Sequence, residues 1–171
     1  MLTTVAILKR VDPTRRRNVF VRGFVAVGTT RPARFVSRHV LWKLDVILLR
    51  ITGGRWSTTF PIRTAVLETT GAKTGALRRN AVIYFHDGVD VVLVASHAGY
   101  PRHPAWYHNL RALPEVTLGG VAMRASVVTD EAERDRLWPL ADNVLPAYAK
   151  YRRQAADSGR TIPLVKLAGD R

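Results

Sequence analysis

The spacing of apolar residues changes along this chain, and the change divides it. From Pro32 to Ile51 apolar side chains recur at Phe35, Val36, Val40, Leu41, Leu44, Ile47, Leu48 and Ile51, close to the helical repeat, and Gly53-Gly54 stand where a helix stop belongs. Beyond Thr64 the spacing shortens. Thr64–Thr70 is rich in β-branched residues and ends at Gly71, which predicts a strand. Ala81–His86 and Val89–Ala95 flank Asp87-Gly88, a hairpin signal. Val91-Val92-Leu93-Val94 does not alternate, so that strand is expected to be buried on both faces. A helix is predicted from Pro104 to Leu113, and Val116–Leu118 with Val121–Val128 form a second hairpin around Gly119-Gly120. Asp130 and Glu133 make a capping box for a helix carrying Leu137, Leu140, Ala141, Val144 and Leu145, with a kink or restart expected at Pro139. Tyr148 and Tyr151 follow on one helical side, and Thr161–Ala168 reads as a last strand, with Pro163 implying an edge or a bulge. About six strands, mostly in antiparallel hairpins with two helices between them, do not alternate as a doubly wound sheet requires. They predict a mainly β (α+β) chain, a small antiparallel barrel with appended helices.

Composition adds a boundary. The 171 residues are 47% hydrophobic, enough for one core, and carry a net charge of +14. Residues 1–55 hold twelve Lys/Arg against two Asp, so the chain divides into a basic extension, 1–55, and a folded domain, 56–171. Such an excess favours phosphate-rich partners, and an anionic membrane surface is the one expected. Nucleic acid is not expected, because Phe20, Phe24, Phe35 and Trp42 lie too far apart for base stacking. Met1–Arg17 reads as mobile or surface-lying, and Phe20–Val27 is too short to span a bilayer. Lys9 and Arg10 follow the first apolar run, the reverse of a secretory signal, so a cytoplasmic place is expected, peripheral on the inner face of the membrane. With no cysteine there is no disulfide, thiol nucleophile or thiolate-held metal.

Three stretches could carry chemistry. In Gly71-Ala72-Lys73-Thr74-Gly75-Ala76-Leu77-Arg78-Arg79-Asn80, two glycines allow a tight turn with exposed N–H groups, Lys73 offers a point charge, and Arg78 can grip a phosphate or carboxylate. An ordinary turn with solvated charges is the other reading, and the glycine–lysine order of a nucleoside-triphosphate loop is missing. In Val94-Ala95-Ser96-His97 small residues end a buried strand, where a flat ring could approach and Ser96 could polarise an oxygen; a plain strand-end turn reads the same way. Trp106 and Asn109 share a helix face and suit a heteroaromatic ligand, although a core-anchoring tryptophan would look alike. His86, His97, His103 and His108 match no metal-ligand spacing, and no Gly-x-Ser-x-Gly elbow supports a serine hydrolase.

Taken together, Thr69-Thr70-Gly71-x-Lys73-Thr74-Gly75, Arg78, Asn80, Tyr84, Val94-Ala95-Ser96, Gly99, His103-Pro104-Ala105-Trp106-Tyr107-x-Asn109-Leu110, Leu137-Trp138-Pro139 and Arg160-Thr161-Ile162-Pro163 resemble the deazaflavin (F420)-dependent nitroreductase family of actinobacterial oxidoreductases. The resemblance covers roughly residues 50–167. It implies an FMN-binding split-barrel-like fold and hydride transfer from reduced coenzyme F420 to a quinone-like, nitro or enone acceptor. It implies that Lys73, Thr74 and Arg78 hold the cofactor's phosphate and oligoglutamate tail, with His97 nearby. Asn80, Ala81, Val94, Ala95, Ser96, Trp106 and Asn109 would surround the ring, with Arg79, Ala105 and Tyr148 also among the cofactor-binding residues. Ser96, Tyr148 and Tyr151 would be catalytic, on the acceptor side, and no metal is implied. The chain departs from the family pattern at Ala72 (often arginine), Ala81 (often proline), His97 (often lysine or asparagine) and Leu145 (tyrosine in quinone-reducing members). A non-catalytic F420 carrier, a basic membrane-binding module, or an FMN enzyme on the same barrel are the alternatives.

Overall fold

A computed structural model describes residues 8–14, 42–52 and 62–169. The expectations for Arg15–Arg17, Phe20–Val27, the first half of the Pro32–Ile51 helix and Gly53-Gly54 lie outside these residues. Six strands form a closed antiparallel barrel: β1 (Thr64–Thr70), β2 (Leu77–Asp87), β3 (Asp90–Val94), β4 (Glu115–Leu118), β5 (Val121–Val127) and β6 (Leu164–Gly169), in the spatial order β1-β2-β3-β6-β5-β4. β4 pairs back onto β1, and closure leaves no edge. Pro163 is therefore not an edge or bulge residue. It immediately precedes β6, where its missing N–H costs no ladder bond and its carbonyl accepts from Ala95 N–H at 3.0 Å.

Both hairpins form at their glycines. Gly88 takes φ 64° in the β2–β3 turn, and Gly119 and Gly120 take φ 56° and 85° between β4 and β5, values that side chains resist. Cross-strand pairing sorts the residues: Leu67 faces Asn80, Ala65 faces Val82, Tyr84 faces Leu93, and Leu93 faces Val165. These share the inner face with Leu118 and Leu167, and all but Asn80 are buried. Val92, Val94 and Leu164 point outward but are buried as well, so β3 is covered on both faces.

Among the described residues four helices pack outside, one more than expected: α1 (Trp42–Ile51), α2 (Ala105–Ala112), α3 (Glu131–Val144) and α4 (Ala147–Ala156). α3 starts at Asp130, whose carboxylate accepts from Glu133 N–H at 2.7 Å. The second half of the box is not made, because the Glu133 carboxylate pairs with Lys166 on β6. Pro139 does not break α3. It is exposed, and so is Asp135, whose carbonyl loses its partner where water can replace it. Arg152 of α4 grips Asp142 of α3 through two bonds, 2.9 and 2.6 Å, and lies 4.1 Å over the Trp138 ring, which fixes the α3–α4 corner.

Residues 8–14 lie against the barrel, with Lys9, Arg10, Asp12 and Thr14 exposed and Val11 and Pro13 buried. Val11 is buried, its N–H donates to His86 Nδ1 at 3.0 Å, His86 N–H donates to Val11 O at 2.9 Å, and Tyr84 Oη donates to Lys9 O at 2.9 Å. α1 packs on β1 and β2 through Asp45 and Leu49, leaving Leu44, Ile47 and Ile51 exposed on its other side.

Candidate cofactor site

The basic loop between β1 and β2 is built mostly on itself. Gly71 N–H donates to Ala76 O at 2.8 Å, Gly75 N–H to Gly71 O at 2.8 Å, and Ala76 N–H to Thr74 Oγ1 at 3.3 Å. A Cβ at Gly71 would meet Thr74 Oγ1 at 2.9 Å, and Gly75 sits at φ 66°, so both glycines are required here. The expected cradle of exposed N–H groups is therefore largely consumed inside the turn. The cations remain. Lys73 and Arg78 are exposed and ion-pair with no carboxylate among the described residues, whereas Arg79 is held by Glu68 at 2.6 Å. Thr74 serves the loop.

Asn109 reaches this loop from α2. Its Oδ1 accepts from Ala72 N–H at 3.1 Å and its Nδ2 donates to Thr69 Oγ1 at 3.0 Å. A backbone N–H can only donate, which fixes the amide's orientation. The buried Asn109 thus ties the basic loop to the end of β1, a positioning task. Trp106, one turn earlier on α2, is buried, and Ala105 is exposed.

The ring-contact residues do not line one wall with their side chains. Asn80 lies on the inner side of β2 and Ala81 on the outer, since neighbours on a strand alternate. Val94 likewise points outward from β3, and Ala95, fully buried, follows it.

The second centre is the turn after β3. His97, Ala98 and Gly99 have φ of 46°, 53° and 78°, three successive left-handed residues of which two carry side chains. Arg160, which sequence reasoning placed in no role, holds them. Its guanidinium donates to the carbonyls of Ala95 and Tyr100, to Ser96 O at 3.1 Å, and through Nε to His103 Nδ1 at 3.1 Å. Arg160 is buried with no carboxylate partner among the described residues, and burial lowers its pKa from the ordinary value. His97 Nδ1 bonds Arg102 O at 2.9 Å, which anchors that ring beside the turn. A Cβ on Gly99 would lie 3.1 Å from Tyr151 Cα, so the turn presses directly on α4. Ser96 and His97 therefore stand next to the helix carrying Tyr148, buried, and Tyr151, half-buried, whose rings meet edge-on at 6.3 Å. The signal for Arg160 was its place in Arg160-Thr161-Ile162-Pro163; the carbonyls it clamps are remote in sequence.

The family model described as F420H(2)-dependent quinone reductase matches residues 38–168, a span that contains both centres. The chain belongs to the F420H(2)-dependent quinone reductase family. F420H(2)-dependent quinone reductase Rv1261c of Mycobacterium tuberculosis (strain ATCC 25618 / H37Rv) is 34% identical over 146 residues, covering 79% of this chain and 96% of that protein. Among solved structures, an F420-H2 dependent reductase (FDR-A) is similar with a TM-score of 0.53 and 32% identity, covering 61% of this chain and 92% of its own. A chain solved as a domain-swapped dimer is similar with a TM-score of 0.55 and 28% identity, covering 73% of this chain and 96% of that one. The family's anionic cofactor fits the site's chemistry, since Lys73 and Arg78 offer two exposed cations on a loop that Asn109 holds in place. Among the described residues no cluster could hold a metal ion, and no helix is long and apolar enough to cross a membrane.

Proposed function

We infer that this chain is an oxidoreductase using coenzyme F420 to reduce a quinone-like acceptor. The observation that carries this is the family match across 38–168, with the basic loop and the Ser96 turn both inside it. When bound, the reduced deazaflavin supplies the hydride. Lys73 and Arg78 grip the phosphate and the carboxylate tail, and Asn109 fixes the loop that presents them. Ser96, beside α4, polarises the acceptor oxygen, and Tyr148 or Tyr151 supplies the proton that accompanies the hydride. Nitro and enone compounds are further acceptors open to the same chemistry. The test is titration with oxidised and reduced F420, followed by menadione under anaerobic conditions. Tight binding that is lost in the Lys73→Ala/Arg78→Ala double variant, together with menadione-dependent reoxidation, is expected. Binding without reoxidation by any acceptor would make the chain a carrier, and FMN binding in place of F420 would reassign the cofactor.

Residues 1–55 are proposed to dock on anionic lipid, on the inner face of the cell membrane. The twelve Lys/Arg there and the exposed Leu44, Ile47 and Ile51, on one side of α1, support this. Co-sedimentation with anionic liposomes at low salt is expected, and to fall when these three residues are changed to serine. Unchanged co-sedimentation in that variant would remove α1 from the contact.

A further inference from the structure

A cleft of about 560 Å³ lies away from the basic loop, walled by the entry to α2, the start of α3 and the segment leading into β6. None of its lining residues is acidic. Arg134 enters from α3 and makes no ion pair among the described residues; its Nε–H is buried and takes no acceptor. A buried guanidinium donor without a partner is rare, because desolvation without a hydrogen bond is costly. His103 faces the same cleft. Arg160 Nε–H can only donate, so His103 Nδ1 accepts and the neutral ring keeps its proton on Nε2. The cleft thus offers hydrogen-bond donors from Arg134 and His103, while Arg160 is spent largely on backbone carbonyls and His103. Tyr107, Val128 and Ile162 give it apolar and aromatic surface. Its volume is of the order of small-molecule sites, and larger than a lone inorganic anion needs.

We propose that this cleft binds a small organic anion, a carboxylate or phosphate head on an apolar or aromatic body, with the head on Arg134 and the body against Tyr107 and Ile162. No residue of the basic loop lines this cleft, although Arg160 and His103 also brace the Ser96 turn from it, and the proposal does not rest on the redox reading. The probes are benzoate and phenyl phosphate, with phenol as the uncharged control, titrated into the full-length protein without F420. The readouts are the Arg134 Nε–H resonance, assigned by its loss in Arg134→Gln, and the backbone amide resonances of the cleft residues, which report affinity in both proteins. Saturable shifts of that signal by either anion, and affinity at least about tenfold weaker in Arg134→Gln, are the expected result. The stronger of the two anions distinguishes carboxylate from phosphate. Arg134 has no side-chain partner among the described residues, so Arg134→Gln should melt like the parent; should it not, the resonance shift in the parent still decides. Shifts confined to residues 71–78, equal binding of phenol, or displacement of the probe from Arg134 by F420 would each overturn the assignment.

Discussion

Asn109 shows how much one side chain decides. Its amide connects Thr69, Ala72 and α2, so Asn109→Ala should destabilise the fold by about 1–2 kcal/mol and weaken F420 binding more than it slows turnover of bound cofactor. Denaturant unfolding and a cofactor titration check the two parts. From the sequence, Asn109 and Trp106 were legible as sharing a helix face, but the partner of the amide was not, because Thr69 is 40 residues away. Ala98 makes an opposite case. It holds φ 53° with a Cβ, and Ala98→Gly should stabilise the protein by about 0.5–1 kcal/mol, seen as a raised unfolding midpoint. Its strain was invisible in the sequence, since the turn is braced by Arg160, which grips Ala95, Ser96 and Tyr100 from about 60 residues away.

At the level of elements, α3 is fastened to the β2–β3 hairpin by charge. Arg136 binds Asp87 through two bonds, 2.8 and 2.7 Å, and Lys166 lies 3.3 Å from the same carboxylate. The hydrogen bond from Arg136 is the main cause that holds the Asp87 carboxyl below its ordinary pKa, and Lys166 is raised above its own, chiefly by Glu133. For Asp87 the contribution to stability is present above the unfolded carboxylate pKa and is lost as pH falls through the lower folded value. For Lys166 it is present below the unfolded lysine pKa and is lost as pH rises through the higher folded one. Asp87→Asn should therefore be less stable than the parent near neutrality, with the difference shrinking below about pH 4; unfolding midpoints across that range measure it. Hairpins and helices were readable because turn glycines and caps act over a few residues. The separate α4 and the fate of Glu133 were not; Lys166 competes for that carboxylate from 33 residues away.

The whole molecule is a barrel whose two ends are served by different segments. α2 ties down the Thr69 end, while residues 8–11 bind Tyr84 and His86 at the other. Burial, with Arg10 second, pushes the His86 pKa down, and Val11 N–H donates onto its Nδ1, which needs that nitrogen unprotonated. His103 is pushed down too, by burial first and then by Arg160. Between the lowered folded values and the unfolded value near 6.5 the unfolded chain binds more protons. Stability should thus be fully present above about pH 6.5 and fall as the solution is acidified, and His86→Gln should flatten that fall. Chemical denaturation at about pH 7.5 and about pH 5.5 tests both. The sequence by itself determined the strands, their hairpins, the basic loop and the family, because these depend on local backbone preference and on contiguous motifs. Tertiary structure alone decided that the strands close without an edge, that Asn80 and Ala81 face apart, that Arg160 holds the Ser96 turn, and that Arg134 meets His103 in a donor-lined cleft. Each of these joins residues far apart in the chain, whose approach is set by the packing of the whole core and by no local spacing.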